Sequence, residues 1–301
     1  MTKLLTQISN GQLLVDGVNG GKFPYSHSVI IEARKDRAVL LDTGCGVDVL
    51  KELKSKFNFD YIINSHTHPD HSAGNWLFRD HVREIYVPRE SFDSAGNMAV
   101  LSERLAEPGP LAEYWKEYVV KAMGFKDCRP TKSYDSRSSF EIGEVTLQPI
   151  YTPGHTIDHY CFYEPSTKVL FSSDYDLSAF GPWYGHRESS IDSFKKSVEL
   201  LKKLDVDVLV PGHGAIVTKD IRSRFDDFCS KIDKRDEKIL SLLEGGHRTI
   251  DQLVEKAPIY GKFSYAELLL RYWEGNMIMK HLERLIRQGK VIRVGQEYSV
   301  R

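Results

Sequence analysis

Ser65-His66-Thr67-His68-Pro69-Asp70-His71-Ser72-Ala73-Gly74-Asn75 is the stretch on which the fold of this chain turns. It sets four candidate metal ligands, His66, His68, Asp70 and His71, within six residues, directly after the apolar run Tyr61-Ile62-Ile63. The run reads as a short buried strand, and a loop at a strand end can aim several side chains at one centre. The whole chain has 11 histidines in 301 residues, so three in six positions mark a built site rather than a polar loop that happens to be rich in histidine. Imidazole and carboxylate together suit zinc, iron or manganese.

Three further donors lie downstream, each after a strand-like run. His155 stands in Tyr151-Thr152-Pro153-Gly154-His155-Thr156 after 145–150, Asp174 follows 169–173, and His213 stands in Val210-Pro211-Gly212-His213-Gly214 after 206–210. One histidine after a strand is usually incidental. Three donors, each beside small or turn residues, change that weighing, because glycine lets the backbone approach closely around a crowded centre. Strands are also expected at 12–18, 28–34, 38–42, 61–65, 84–87 and 159–163, with a turn at Lys35-Asp36. Apolar residues at helical spacing predict helices at 47–57 and 190–204. An aromatic-rich helical segment at 91–125 is broken by Pro108-Gly109-Pro110. Beyond residue 219 the strands stop: helices are expected at 225–243, 250–257, 264–272 and 277–287, then two short strands at 290–294 and 296–300 around Gly295.

Composition bounds the class. Hydrophobic residues make up 41% and charged residues 28%, which is the balance of a globular chain. The net charge of −1 gives no global attraction to nucleic acid or to an acidic membrane. No apolar run approaches membrane-spanning length, and the opening MTKLLTQISNG lacks the apolar core of a secretion signal, so a cytoplasmic protein is expected. Cys45, Cys128, Cys161 and Cys229 are scattered without a CxxC pair, as reduced thiols would be. Cys45, close behind Asp42-Thr43-Gly44, is the one nearest the expected site.

Read together, HxHxDH, a Gly-His, an aspartate after a strand and Pro-Gly-His-Gly resemble the ordered ligand set of the metallo-β-lactamase superfamily, and Asp42-Thr43-Gly44 resembles the turn that family places after an early strand. The resemblance runs from about residue 14 to 218. It implies an α+β fold: a four-layer αββα sandwich with the site at one edge between two sheets. It also implies two divalent metal ions, zinc first and iron or manganese next. His66, His68 and His155 would hold one, Asp70, His71 and His213 the other, and Asp174 would bridge them, which makes Asp70 and Asp174 the carboxylates at the reaction centre. Two cations this close repel, so an anion between them is needed, and the metals lower the pKa of a bridging water to give a hydroxide nucleophile. Asp42 would act behind the ligands, fixing the loop or a ligand histidine. His68 stands where flavodiiron proteins carry Glu, and Asp174 replaces the cysteine of the familiar β-lactamases, which turns the reading away from antibiotic hydrolysis.

The domains follow from the same pattern. Residues 1–220 form the catalytic domain with a helical insertion at about 91–125, and residues 221–301 form a helical unit whose three helices and two-stranded wing resemble a winged-helix domain. The loop 179–187 should begin beside the metals. There Trp183 and Tyr184 would wall a substrate pocket, and His186 or Arg187 would meet an anionic group. The expected reaction is hydrolysis of a small acyl substrate, a thioester or ester. Two alternatives stay open: a phosphodiesterase or endoribonuclease, and an iron-dependent sulfur dioxygenase or a non-catalytic binding protein. The basic residues Lys280, Arg284, Arg287, Lys290, Arg293 and Arg301 would carry any nucleic-acid contact, although such residues are more often a solvated helix face. The aromatic stretch Phe263, Tyr265, Tyr272, Trp273 and Met277 is the candidate contact for a homodimer. No membrane partner is expected.

Overall fold

The computed structural model describes residues 4–33 and 36–301; the Arg34 end of one expected strand and Lys35 of the expected turn lie outside the described residues. Two sheets form. The first runs in chain order through β1 (Leu5–Ser9), β2 (Gln12–Val15), β3 (Ser28–Glu32), β4 (Arg37–Leu41), β5 (Asn58–Ile63), β6 (Glu84–Pro88) and β7 (Lys132–Tyr134). It is antiparallel as far as β4 and parallel from β4 to β7. The second has the order β12-β11-β10-β9-β8, with β8 (Phe140–Ile142), β9 (Val145–Tyr151), β10 (Tyr160–Glu164), β11 (Val169–Ser173) and β12 (Val208–Pro211). Only the β11–β12 pair in it is parallel. The helices are α1 (Val47–Lys56), α2 (Pro69–Ser72), α3 (Met98–Leu105), α4 (Pro110–Met123), α5 (Ile191–Leu201), α6 (Ile221–Glu244), α7 (Ile250–Lys256) and α8 (Glu267–Arg287).

The period-two alternation of the strands sends one set of side chains between the sheets and the other outward. Val29, Ile31, Val39, Leu41 and Ile63 of the first sheet meet Leu147, Phe162, Phe171 and Val210 of the second. On the first sheet's outer face, Ile30, Leu40 and Ile62 pack on Leu50 and Leu53 of α1. On the second sheet's outer face, Leu170 and Leu209 pack on Phe194 and Val198 of α5 and on Phe225 and Phe228 of α6. Those contacts make the four layers α, β, β, α. The strand expected at 12–18 stops at Val15, because a 3-10 turn follows at Val18–Gly21 with Asn19 and Gly20 in left-handed backbone. β1, β7 and β8 are short and lie at or near sheet edges, with too little apolar alternation to announce them.

The two helices expected at 264–272 and 277–287 are one continuous helix, α8. Gly275 lies at its middle. A glycine there costs only about 1 kcal/mol relative to alanine, too little to break a helix whose buried residues run from Leu269 to Leu285. The N-terminal half of α8, with Leu269, Leu270 and Trp273, packs on Leu105 of α3 and on Trp115 and Val119 of α4. Its C-terminal half, with Ile278 and Leu282, packs on Ile239 of α6, Leu253 of α7 and Tyr298. An antiparallel hairpin of β13 (Val291–Val294) and β14 (Glu297–Val300) closes the chain. Trp273 and Met277 are thus buried within this chain, so much of the aromatic stretch considered for a homodimer is spent on internal packing. No described helix is long and apolar enough to cross a membrane.

Candidate metal centre

Every donor leaves the end of a strand toward the same edge. β9 and β11 both run antiparallel to β10, and β12 runs parallel to β11, so the C-terminal ends of β9, β11 and β12 deliver His155, Asp174 and His213 side by side. β4 and β5 are parallel, and their ends deliver Asp42 and the His66–His71 loop. Pro69 starts the short α2 at a position where its missing N–H is not needed. Gly44 is required by the closeness of that loop: a Cβ on it would stand 1.4 Å from the Asp70 carbonyl oxygen.

The seven donors converge as two sets. His66, His68, His155 and Asp174 offer ligand atoms that all lie within 4.8 Å of one another, and so do Asp70, His71 and His213. Asp174 faces both sets. Its Oδ1 is 2.8 Å from His71 Nε2 and 3.6 Å from His213 Nε2, while its Oδ2 is 2.9 Å from His155 Nε2 and 3.9 Å from His66 Nε2. Asp70 Oδ2 is 3.6 Å from His213 Nε2.

The outer nitrogens show what the inner ones lack. His71 Nδ1 donates to Asp42 Oδ2 at 2.8 Å, His155 Nδ1 to the Trp183 carbonyl at 3.0 Å and His213 Nδ1 to the Gly21 carbonyl at 2.6 Å. In the neutral rings each Nε2 therefore turns a lone pair inward. His155 Nε2 meets His68 Nδ1 at 2.9 Å, and His71 Nε2 meets His213 Nε2 at 3.4 Å. His66 Nε2 and His68 Nε2 are buried without any partner. Lone pairs and carboxylate oxygens that face one another call for a positive charge between them, and this donor set fits divalent cations. The titration behaviour expresses the same demand. Burial, reinforced by neighbouring imidazoles, holds His66 and His68 well below the ordinary histidine range. Burial also opposes charge on His71, yet Asp174 and Asp42 on either side of its ring hold it well above that range. Burial likewise opposes ionising Asp174, but the surrounding histidines hold its carboxyl well below the usual carboxylate range.

A polar layer fixes these rings. Asp42, at φ 59°, accepts from Ser65 N–H and Ser65 Oγ as well as from His71. Two contributors carry no sequence motif. His159 Nε2 accepts from the Asp174 N–H at 3.2 Å, and its Nδ1 lies 2.9 Å from Thr152 Oγ1. Asp158, fully buried, accepts from Thr67 N–H at 3.0 Å and Thr67 Oγ1 at 2.6 Å at the centre of the HxH loop. Its other oxygen pairs with Arg104 of α3 at 2.8 Å, and Arg104 also grips Glu188 through two nitrogens. The cue was the close run His155-x-x-Asp158-His159; its meaning depended on Arg104, 54 residues away. Cys45 is buried, which pushes its thiol up to about 12 and leaves it unreactive.

A cavity of about 440 Å³ opens beside the donors. Trp183 and His186 line it, whereas Tyr184 and Arg187 do not. Tyr184 is wholly buried in the opposite direction: it bonds His281 Nε2 at 2.8 Å and accepts from Arg235 at 2.8 Å. Arg187 is exposed and pairs with Glu107. The C-terminal helices hold this loop by its carbonyls. Arg235 donates to those of Phe180 and Pro182, Asn276 to that of Gly185 and Lys280 to that of His186. The carbonyl of Trp183 is the one that orients His155. Four of the six basic residues near the C-terminus are likewise engaged within the chain: Lys280 as above, Arg284 with Asp233 and Asp236, Arg287 with Asp192 and Arg293 with the Gly295 carbonyl.

Comparison with known proteins agrees with this geometry. A lactamase-like protein, aptB, of Emericella nidulans is 24% identical over 80% of this chain and 68% of its own length. A protein of Cryptosporiopsis sp. named atrochrysone carboxyl ACP thioesterase dmxR1 is 22% identical over 79% of this chain and 64% of its own. Against two other lactamase-like relatives the chain spans 52% and 53% of the relative's length. The solved structure of a metallo-beta-lactamase family protein from Thermus thermophilus superposes with a TM-score of 0.75 at 20% identity, covering 98% of this chain and 100% of that one. The family model of the metallo-beta-lactamase superfamily matches residues 21–213, the span that holds all seven donors. By that match, and by the four layers that carry the donors to one edge, the chain belongs to the metallo-beta-lactamase superfamily.

Proposed function

We propose that this superfamily hydrolase binds two divalent cations, zinc first, and cleaves an acyl thioester or ester. The observation that carries the reading is the set of inward lone pairs around the two oxygens of Asp174. His66, His68 and His155 would hold one cation, Asp70, His71 and His213 the other, and Asp174 would serve both. Cations bound there would supply hydroxide near neutral pH and polarise the acyl oxygen. The chain's own contribution is to orient and to exclude water. Asp42, Gly21 and Trp183 fix three imidazoles through their outer nitrogens, and a fixed donor set loses little on binding. Apolar residues of α3, α4 and α8 wall the space where the acyl group would lie.

An acyl substrate is favoured over a phosphodiester for two reasons. The cavity is lined largely by aromatic and aliphatic side chains, and four of the six C-terminal basic residues already bond to other groups of the chain. The thioesterase name of one relative points the same way. We further assign catalysis to residues 1–220 and read residues 221–301 as a helical, winged-helix-like unit that completes the cavity wall. Elemental analysis of protein purified without chelator, followed by an acyl-thioester panel on the same sample, tests the function. About two zinc or manganese ions per chain with thioester turnover supports it. One iron with oxygen uptake on a persulfide replaces it with the dioxygenase, and two metals without acyl turnover redirects it to phosphodiesters.

A further inference from the structure

The cavity beside the donors has a mainly apolar lining beyond the metal-ligand candidates, with Lys22, Asp176, Ser178, Lys262 and Ser264 among its polar members. One wall carries the metal-ligand candidates His68, Asp70, His155, Asp174 and His213. Leu105, Trp115, Val119, Met123, Leu270 and Trp273, every one of them 6% exposed or less, line the cavity as well. These six belong to α3, α4 and α8, so the αββα layers supply the reacting end and the insertion with the C-terminal helix supplies the rest. The volume of about 440 Å³ equals roughly fifteen waters at about 30 Å³ each. A two- or three-carbon acyl group would leave most of it unfilled.

We propose that this cavity is an acyl-binding site for an apolar acyl group of about eight carbons or more, straight-chain or aromatic, and that the α3–α4 insertion and α8 set that preference. The inference rests on the hydrolase reading for the reacting end. The acyl carbonyl lies at the donor wall, and the chain extends across Leu105 and Val119 toward Trp115. Phe23, Tyr118 and Tyr265 also line the cavity. Phe23 stacks on Tyr118 at 6.1 Å and on Tyr265 at 6.3 Å between ring centroids, joining the loop after β2, α4 and the segment before α8. Each buried methylene should raise kcat/KM about fourfold until the cavity is full.

The test uses the full chain with its metals and a series of N-acetylcysteamine thioesters: acetyl, lactoyl, butanoyl, octanoyl and phenylacetyl. Octanoyl, six methylenes longer than acetyl, is expected to exceed it by about a thousandfold or more in kcat/KM; the phenylacetyl arm tells an aromatic from a straight-chain preference. Binding is read separately by tryptophan fluorescence with ketone analogues in which CH2 replaces the thioester sulfur, since Trp115, Trp183 and Trp273 line the cavity and the chain has only four tryptophans. Val119→Phe should move the optimum to shorter chains; should that variant fold poorly, the series on the unaltered protein decides alone. Turnover that is flat or falls from acetyl to octanoyl, with no chain-length-dependent fluorescence change, overturns the acyl-site inference and leaves the hydrolase standing. Chain-length-dependent binding without turnover of any thioester supports the cavity's ligand class and removes the hydrolase reading instead.

Discussion

Replacing Arg104 by methionine keeps an unbranched side chain of similar length and removes a cation from a nearly closed site. Arg104 is 14% exposed and Asp158 is 0% exposed at the side chain. The guanidinium makes a two-nitrogen contact with Glu188 and further bonds to Asp158, Thr67 and Ser91. Charged groups paired in this way are among the stronger hydrogen bonds, and removing one partner of a buried pair typically costs about 3–5 kcal/mol because the other charge is left alone. Arg104→Met should therefore lower the unfolding free energy by that amount, read as a urea or guanidinium midpoint lowered by it divided by an unchanged m-value. The sign of the pH dependence follows from Asp158. Burial opposes its ionisation, but Arg104, His66 and the hydroxyls of Thr67 and Ser91 hold its carboxyl well below the usual carboxylate range. The stability it contributes is then complete above the unfolded carboxylate value of about 3.9 and is lost as pH falls through the depressed folded value. In Arg104→Met the lone carboxyl titrates at a higher pH, so the gap between variant and parent should narrow as pH falls from 7 toward 4. Adding Asp158→Asn should recover part of the loss in a double-mutant cycle. A cost below about 1 kcal/mol, the range of exposed ion pairs, with no pH-dependent narrowing would refute the reasoning.

Two further perturbations probe the candidate metal centre. Asp42→Asn tolerates the left-handed backbone at this position but leaves one acceptor oxygen for three donors, Ser65 N–H, Ser65 Oγ and His71 Nδ1; metal affinity at the His71 set should fall about 10–100-fold, measured by competition with a chelator, and unchanged affinity would remove Asp42 from the support of that ring. Gly44→Ala would drive a Cβ to 1.4 Å from the Asp70 carbonyl and 2.4 Å from Ser26 Oγ, so it should destabilise the fold by several kcal/mol (about 3 or more) as overpacking does and release metal together with stability; a variant that unfolds and binds metal like the parent would contradict the packing of the two loops.

The chain order of donors, the strand before each and the glycines beside them were legible along the sequence, because each depends on residues within about ten positions of one another. The period-two runs at β3, β4, β9 and β11 declared themselves for the same reason. What the sequence could not order was the loop 179–187. Trp183 and Tyr184 are neighbours of similar character, yet one faces the cavity and the other is turned away into a bond with His281 and Arg235. That choice is made by α6 and α8, which hold the loop by its carbonyls from residues 53 to 94 positions away. The apolar wall was hidden for a like reason. Leu105, Val119 and Leu270 fall into separate helical patterns and become one surface only when α8 lies across α3 and α4. Local spacing decides which residues can reach an edge or a face; which of them meet is decided by packing between segments distant in the chain, where burial and the need to satisfy every backbone carbonyl leave one arrangement.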